Sequence, residues 1–136
     1  MNTLQPLPID RNQYVPGVCN IGPAEIRQRR RFGHVGLIVT VVLFVALVFI
    51  HAPAIARLLL IVPAGASATG YLQAYFHFCA GFGSRGVFNF GDAVGDVTVV
   101  DDAGARARDR RRSLEIGLAS LAIGLVVGVV AALLPI

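Results

Sequence analysis

Residues 27 to 50 read RQRRRFGHVGLIVTVVLFVALVFI, and this stretch decides the fold. Four arginines precede Phe32, and no charged residue occurs from Val35 to Ile50. Charge gives way to apolar sequence abruptly, as it does where a helix leaves water and enters a bilayer. The run from Val35 to Ile50 covers about 24 Å at about 1.5 Å per residue, which is shorter than a ~30 Å hydrocarbon core. Counting the helix from Phe32 supplies the missing length. The pattern therefore predicts a transmembrane helix.

The composition extends this prediction to the whole chain. Of the 136 residues, 55% are hydrophobic and 15% are charged, whereas a soluble domain carries about 25% charged residues. All twelve basic residues are arginine, and they flank the apolar blocks. Contact with anionic lipid headgroups explains the pI near 9.8 better than nucleic acid does. Two cysteines are too few for a disulfide-framed secreted fold. The chain is predicted to be an all-α membrane protein.

Residues 23–82 predict a transmembrane helical hairpin. Pro23 suits the first position of a helix, and Glu25 favours the positive end of its dipole. The second helix is less apolar, with Arg57 expected to snorkel to the interface and Pro63 expected to kink the helix. The small residues 64–70 would let another helix approach closely.

The remaining sequence predicts a polar loop and a third span. Residues 83–112 form a cytoplasmic loop rich in arginine and aspartate, in which VFNF and DVTVV predict a short β-hairpin. Residues 113–136 form the third transmembrane helix. Three glycines at near-heptad spacing predict a helix-packing face, and they are Gly117, Gly124 and Gly128. The first 22 residues contain three prolines and predict an extended arm, ordered by the membrane domain or by a partner.

The arginines predict the orientation. Two groups lie before the first span and between the second and third spans, so the positive-inside rule places both in the cytoplasm. The N-terminus is then inside, the C-terminus outside, and the location is a bacterial inner membrane. A twin-arginine signal is disfavoured because the arginines lie about thirty residues in, behind a proline-rich leader. The arginines expected to contact headgroups are Arg27, Arg29, Arg30, Arg31, Arg106, Arg108, Arg110, Arg111 and Arg112.

Four side chains on the predicted cytoplasmic side are candidate metal ligands. They are Cys19, His34, His77 and Cys79, and thiols and imidazoles suit zinc or another thiophilic metal. The alternative is that Cys79 is a packing residue and His77 an interfacial aromatic. No cofactor is predicted, with a metal or haem as the alternative. Hydrolase triads, glycine-rich phosphate loops and nucleotide signatures are missing from the sequence.

From Cys19 to Gly83 the sequence resembles a small bacterial transmembrane family of unknown function, found alone or fused to inner-membrane rhodaneses. The resemblance lies in Asn20, the arginines 27–31, Gly36 and the ending FCAGFG at 78–83. It implies a helical hairpin that associates through its helices, and it would favour a thiol or sulfur-handling role for Cys79. The third span and the arginine-rich loop fall outside it.

The functional hypothesis is a small non-catalytic subunit or accessory protein of a larger membrane complex of respiratory or photosynthetic type. Its partners would be membrane lipids and other membrane subunits or further copies of the chain, and it is predicted not to be an enzyme. The alternative is a thiol, metal or sulfur-handling membrane protein that uses Cys19 and Cys79. An oligomeric transporter or channel is the third alternative.

Overall fold

The computed structural model describes residues 13–136, which are mostly helical. The elements are α1 (Pro23–Phe49), a 3-10 segment (Ala54–Leu60), α2 (Ile61–Phe76), α3 (Ala80–Arg85), β1 (Val87–Phe88), β2 (Thr98–Val99) and α4 (Ala103–Leu133). Three helical stretches, Pro23–Phe49, Ala54–Phe76 and Ala103–Leu133, are long and apolar enough to cross a membrane. The three predicted spans are therefore confirmed in number. Residues 1–12 of the predicted proline-rich arm lie outside the described residues.

The second span begins as a 3-10 segment and becomes α-helical at Ile61, two residues before Pro63. Arg57, in the 3-10 segment, does not reach outward as predicted. Its side chain is 5% exposed, and its guanidinium donates hydrogen bonds to the carbonyls of Ala131, Leu134 and Ile136. The last carbonyls of a helix have no partner within the helix, so the end of α4 offers this arginine acceptors that lipid cannot.

The polar stretch after α2 contains more regular structure than the predicted loop. The predicted β-hairpin is confirmed, with Val87 opposite Val99 and Phe88 opposite Thr98 in an antiparallel pair. The loop, however, does not extend to residue 112, because α4 begins at Ala103. Asp102 caps this start by accepting a hydrogen bond from the Ala105 amide at 2.8 Å. Alanine and arginine are both good helix formers, so the arginine-rich stretch continues the third span as a helix.

The α1–α2 contact is made backbone to backbone. A Cβ atom added to Gly36 would lie 2.8 Å from the Cα of Ser67, and one added to Gly70 would lie 2.6 Å from the backbone nitrogen of Gly33. Ser67 Oγ also donates a hydrogen bond to the Gly33 carbonyl at 2.8 Å. Small residues allow this approach, which gives two apolar helices close van der Waals contact inside a bilayer. Of the small residues 64–70, Ser67 and Gly70 form the α2 side of this contact, whereas Gly65 faces α4.

The α2–α4 contact uses the same principle. A Cβ on Gly124 would lie 2.7 Å from the Ile61 carbonyl oxygen, and one on Gly128 would overlap the Ile61 side chain. Gly117, the third residue of the predicted packing face, is exposed and a Cβ there would meet nothing within 4 Å. The glycine face is thus shorter than the sequence pattern, and α2 lies between α1 and α4.

The α1–α2 and α2–α4 contacts determine which helix ends lie together at each end of the bundle. At one end Leu47, Leu60 and Ala131 form a buried cluster. At the other, the Arg112 guanidinium lies over the Phe76 ring at 4.4 Å. The start of α1, the end of α2 and the start of α4 therefore meet at one end of the bundle, and both arginine groups lie there.

Substitution of Gly124 by alanine tests the α2–α4 contact. The new Cβ would press on the Ile61 backbone, which cannot rotate away as a side chain can, so we expect a loss of about 1–3 kcal/mol in the free energy of unfolding. Reversible unfolding in mixed detergent micelles measures this.

Gly117→Ala is the matched control on the same helix. The added methyl group meets open space, and alanine is the better helix former by up to about 1 kcal/mol, so this variant should be unchanged or slightly more stable. Equal destabilisation of both variants would contradict the close approach of α2 and α4.

Candidate functional site

The N-terminal segment, residues 13–22, folds onto the helix ends. Val15, Pro16, Gly17 and Val18 form a turn in which the Val18 amide donates to the Val15 carbonyl at 3.0 Å. Gly17 has φ of +70°, as the third residue of a type II turn requires, and proline is favoured before it. The turn returns the chain so that Val15 and Cys19 exchange two backbone hydrogen bonds. We call residues 13–25, α3 and residues 86–109 together the polar cap, which includes Glu25 at the start of α1 and Asp109 near the start of α4.

A buried carboxylate on α4 holds this turn. Asp109 is 0% exposed. Its Oδ1 accepts a hydrogen bond from the Gly17 amide at 2.7 Å, and its Oδ2 accepts one from the Tyr14 hydroxyl at 2.6 Å. The Tyr14 ring also stacks on Phe88 with centroids 4.6 Å apart. One aspartate therefore joins the N-terminal segment to the start of the third span.

A second anchor joins the N-terminal segment to the joint between α2 and α3. Asn20 Nδ2 donates to the Cys79 carbonyl at 3.1 Å, and Asn20 Oδ1 accepts from the Cys79 amide at 2.6 Å. The carbonyl of His77 accepts hydrogen bonds from the amides of Asn20 and Ile21. His77 itself ends α2 in a left-handed conformation, with φ of +55°. Asn20 thus replaces the backbone partners that the chain loses where α2 stops.

The third anchor joins the hairpin to α1. Glu25 is 1% exposed, and its Oε1 accepts from Asn89 Nδ2 at 2.9 Å and from the Gly95 amide at 2.6 Å. Its Oε2 lies 3.3 Å from Arg29 Nη2. The Asn89 backbone exchanges hydrogen bonds with the N-terminal segment, donating to Asn20 and accepting from Gly22. Glu25 therefore positions the hairpin in addition to favouring the helix dipole.

The predicted metal ligands have separate surroundings. Cys79 is 5% exposed and its Sγ lies 3.2 Å from Arg29 Nη2. Cys19 is also buried, and its Sγ donates to the Gln13 carbonyl at 2.9 Å. His34 Nδ1 is 2.5 Å from the Tyr71 hydroxyl on the exposed surface between α1 and α2. Within residues 13–136, no three histidine, cysteine, aspartate or glutamate side chains are grouped as metal ligands. The metal site stays a prediction.

The nine arginines expected at the headgroups divide into two groups. Arg29 and Arg112 are partly withdrawn from solvent, because Arg29 lies beside Glu25 and over Phe82, and Arg112 pairs with Glu115 and covers Phe76. The other seven are exposed, and they are Arg27, Arg30, Arg31, Arg106, Arg108, Arg110 and Arg111.

Sequence reasoning missed Tyr14, Asn89 and Asp109 as anchors. Asp109 stands inside a run of arginines, and no role was predicted for it. The lone acid among arginines and the Val-Pro-Gly-Val turn were the available signals. The chemistry of the cap is hydrogen bonding within the chain. Its buried carboxylates and amides hold together the N-terminal segment, the joint between α2 and α3, the hairpin and the starts of α1 and α4.

Replacement of Asp109 by alanine should release the N-terminal segment. The Gly17 amide and the Tyr14 hydroxyl would both lose their acceptor, at a cost of about 1–3 kcal/mol for groups left unsatisfied. Hydrogen exchange of the Gly17 and Asn20 amides measures the release. Asp101→Ala is the matched control, because Asp101 is exposed one residue before the cap of α4. Unchanged exchange in Asp109→Ala would contradict the anchor.

Tyr14 should make the cap sensitive to alkaline pH. Burial raises the pKa of Tyr14 above its ordinary value of 10.0, and its hydrogen bond to Asp109 raises it further. A pKa raised on folding gives stability that is complete below pH 10 and is lost as pH rises through the folded pKa. The difference in 295 nm absorbance between wild type and Tyr14→Phe should therefore titrate above pH 10. Titration at or below that value would contradict the burial of the hydroxyl.

Comparison of the chain with family models, with curated proteins and with solved structures finds no match in any of the three. The resemblance of residues 19–83 to the small transmembrane family therefore stays a prediction.

Proposed function

We propose that the protein is a small, non-catalytic multi-pass subunit or accessory protein of a larger complex in a bacterial inner membrane. The polar cap supports this role because its buried polar groups bind one another. The partners of these buried oxygens belong to the same chain. Amides, a hydroxyl and a guanidinium bind the side-chain oxygens of Asp109, Glu25 and Asn20. A cap of this kind holds helix ends in place, which suits a structural role.

The observation that carries the proposal is an apolar groove between α1 and α4. Because α2 lies behind both helices, α1 and α4 form the walls of this groove and the second span forms its base. One cavity of about 350 Å³ is lined by Phe44, Leu60 and Val130, and another of about 390 Å³ by Leu37, Ala68 and Ile123. Thr40 and Val127 line both cavities, so the groove is continuous.

The groove fits a helix of another membrane subunit. Its base includes the small residues Ala64, Ser67 and Ala68 beside Tyr71 and Leu72, and small residues let a further helix approach closely in a bilayer. The outer faces of both walls also carry exposed large apolar side chains along their length. The positive-inside rule would place the polar cap and both arginine groups in the cytoplasm.

A photo-cross-linking residue at position 123 tests this proposal in native membranes. Ile123 lines the groove, so cross-linking there should give a protein adduct of one discrete mass. An adduct of twice the mass of the chain would identify a further copy as the partner.

Position 121 is the control. Leu121 is exposed on the same helix two residues away, hence on a different face at about 100° per residue, and cross-linking there should capture lipid. Lipid adducts alone at both positions, together with a monodisperse monomer in mild detergent, would refute the subunit proposal.

A second candidate function is thiol chemistry at Cys79. The contact of Arg29 Nη2 with Cys79 Sγ at 3.2 Å favours it, since cationic neighbours are typical of reactive cysteines. The burial of Cys79 opposes it. Alkylation of the folded chain distinguishes the two: a reaction faster than that of glutathione, slowed in Arg29→Gln, supports thiol chemistry, and an inert Cys79 ends it.

A further inference from the structure

A small polar cavity lies beside the start of α4, away from the groove. It has a volume of about 210 Å³ and is lined by three arginines, Arg85 from the end of α3 and Arg106 and Arg110 from α4. The rest of its lining comes from residues 83, 84, 86 and 103, and no carboxylate is among the lining residues. The sequence pattern did not single out Arg85, because it lies more than twenty residues before the other two.

The three arginines lack anionic partners within the described part of the chain. Ion pairs there join Arg29 to Glu25, and Arg111 and Arg112 to Glu115. Arg106 and Arg110 are four residues apart on one helix face, where like charges repel each other. The nearest acids in sequence have other partners within the chain. Asp109 accepts hydrogen bonds from the Gly17 amide and the Tyr14 hydroxyl, and Asp102 caps α4. The cavity therefore concentrates positive charge that an anion would neutralise.

Two of the arginines are held in place before any ligand arrives. Arg85 Nε donates to the Gly81 carbonyl at 3.3 Å, and its guanidinium lies over the Phe82 ring at 5.4 Å. The Arg106 side chain crosses Gly86, where its Cδ is 2.8 Å from the place a Cβ would take. Gly86 has φ of +69°, so both its conformation and its missing side chain suit this crossing. Preorganised side chains lose less entropy on binding.

We propose that Arg85, Arg106 and Arg110 form a binding pocket for a phosphate group. The guanidinium fork matches the oxygens of phosphate in geometry as well as in charge. Arg110 precedes Leu114, the first exposed large apolar residue of α4, by four residues, about 6 Å along the helix. The pocket therefore lies at the level of lipid phosphates if α4 spans the bilayer. A lipid headgroup and a soluble phosphate share this chemistry.

The test uses the full chain purified in detergent, with two probes. Native mass spectrometry measures binding of phosphatidylglycerol and phosphatidic acid, with phosphatidylcholine as reference, and phosphorus-31 NMR measures binding of inorganic phosphate. We expect Arg85→Gln/Arg106→Gln/Arg110→Gln to weaken binding by at least tenfold, since about tenfold is the least expected from one lost charge-assisted hydrogen bond. Binding of anionic lipid that inorganic phosphate does not displace identifies a lipid site. Displacement by inorganic phosphate identifies a soluble phosphate site.

The matched control is Arg27→Gln/Arg30→Gln/Arg31→Gln, which removes the same charge from exposed positions on α1. It should weaken binding only a few-fold. Equal losses in the two triple variants would overturn the proposal, because attraction would then depend on net charge alone. Absence of binding of either probe to the wild type would also overturn it.

Hydrogen exchange of the wild-type chain makes the test independent of variant folding. The bound probe should slow exchange at residues 83–86 and 103–110 more than at residues 27–31, and equal slowing would again overturn the pocket. Neither outcome depends on a partner subunit. The pocket proposal can therefore be wrong while the groove proposal is right, and the groove proposal can be wrong while the pocket proposal is right.

Discussion

The close approach of α2 to both of its neighbours is the constraint on which the rest of the structure depends. Helices in a bilayer gain little from the hydrophobic effect when they associate, because lipid is as apolar as their side chains. Contact must come from packing and from hydrogen bonds such as that between Ser67 and Gly33. Glycines at the crossing points bring backbones together at positions where a Cβ would overlap Ile61 or Ser67. These crossings align the three helices in one register.

The polar cap depends on that register. Asp109 on α4 reaches the Gly17 amide, and Glu25 on α1 reaches the Gly95 amide, because the helix crossings fix how α1 and α4 lie along each other. A buried carboxylate without donors is costly, whereas one that accepts two or three hydrogen bonds is tolerated. The cap in turn ties the N-terminal segment, the hairpin and the joint between α2 and α3 to the helix ends. Packing in the apolar region and hydrogen bonding at its end thus stabilise the same arrangement.

The two proposed functional surfaces, the apolar groove and the arginine-lined cavity, are surfaces that this helix arrangement leaves uncovered. Placing α2 behind α1 and α4 opens the apolar groove, whose base includes small residues that let another helix approach. Extending α4 back to Ala103 puts Arg106 and Arg110 on a rigid helix opposite Arg85, so charges that a loop would leave scattered share one cavity. The arginine that covers Phe76 and the one beside Glu25 belong to the structure, while those of the cavity remain available to an anion.

The amino-acid sequence by itself determined the three spans and the short hairpin, because apolar length, charge boundaries and alternation are local properties of a chain. It also indicated close helix packing, although Gly117 continued the pattern beyond the actual contact. Only the tertiary structure decided that α4 begins at Ala103, that Arg57 caps the end of α4, and which polar side chains are buried. Asn20 and Cys79 are 59 residues apart, and Tyr14 and Asp109 are 95 apart. A polar residue is predicted to be exposed when no partner is evident in the sequence. Partners so distant in sequence leave no local pattern, so only the fold shows that these residues are buried.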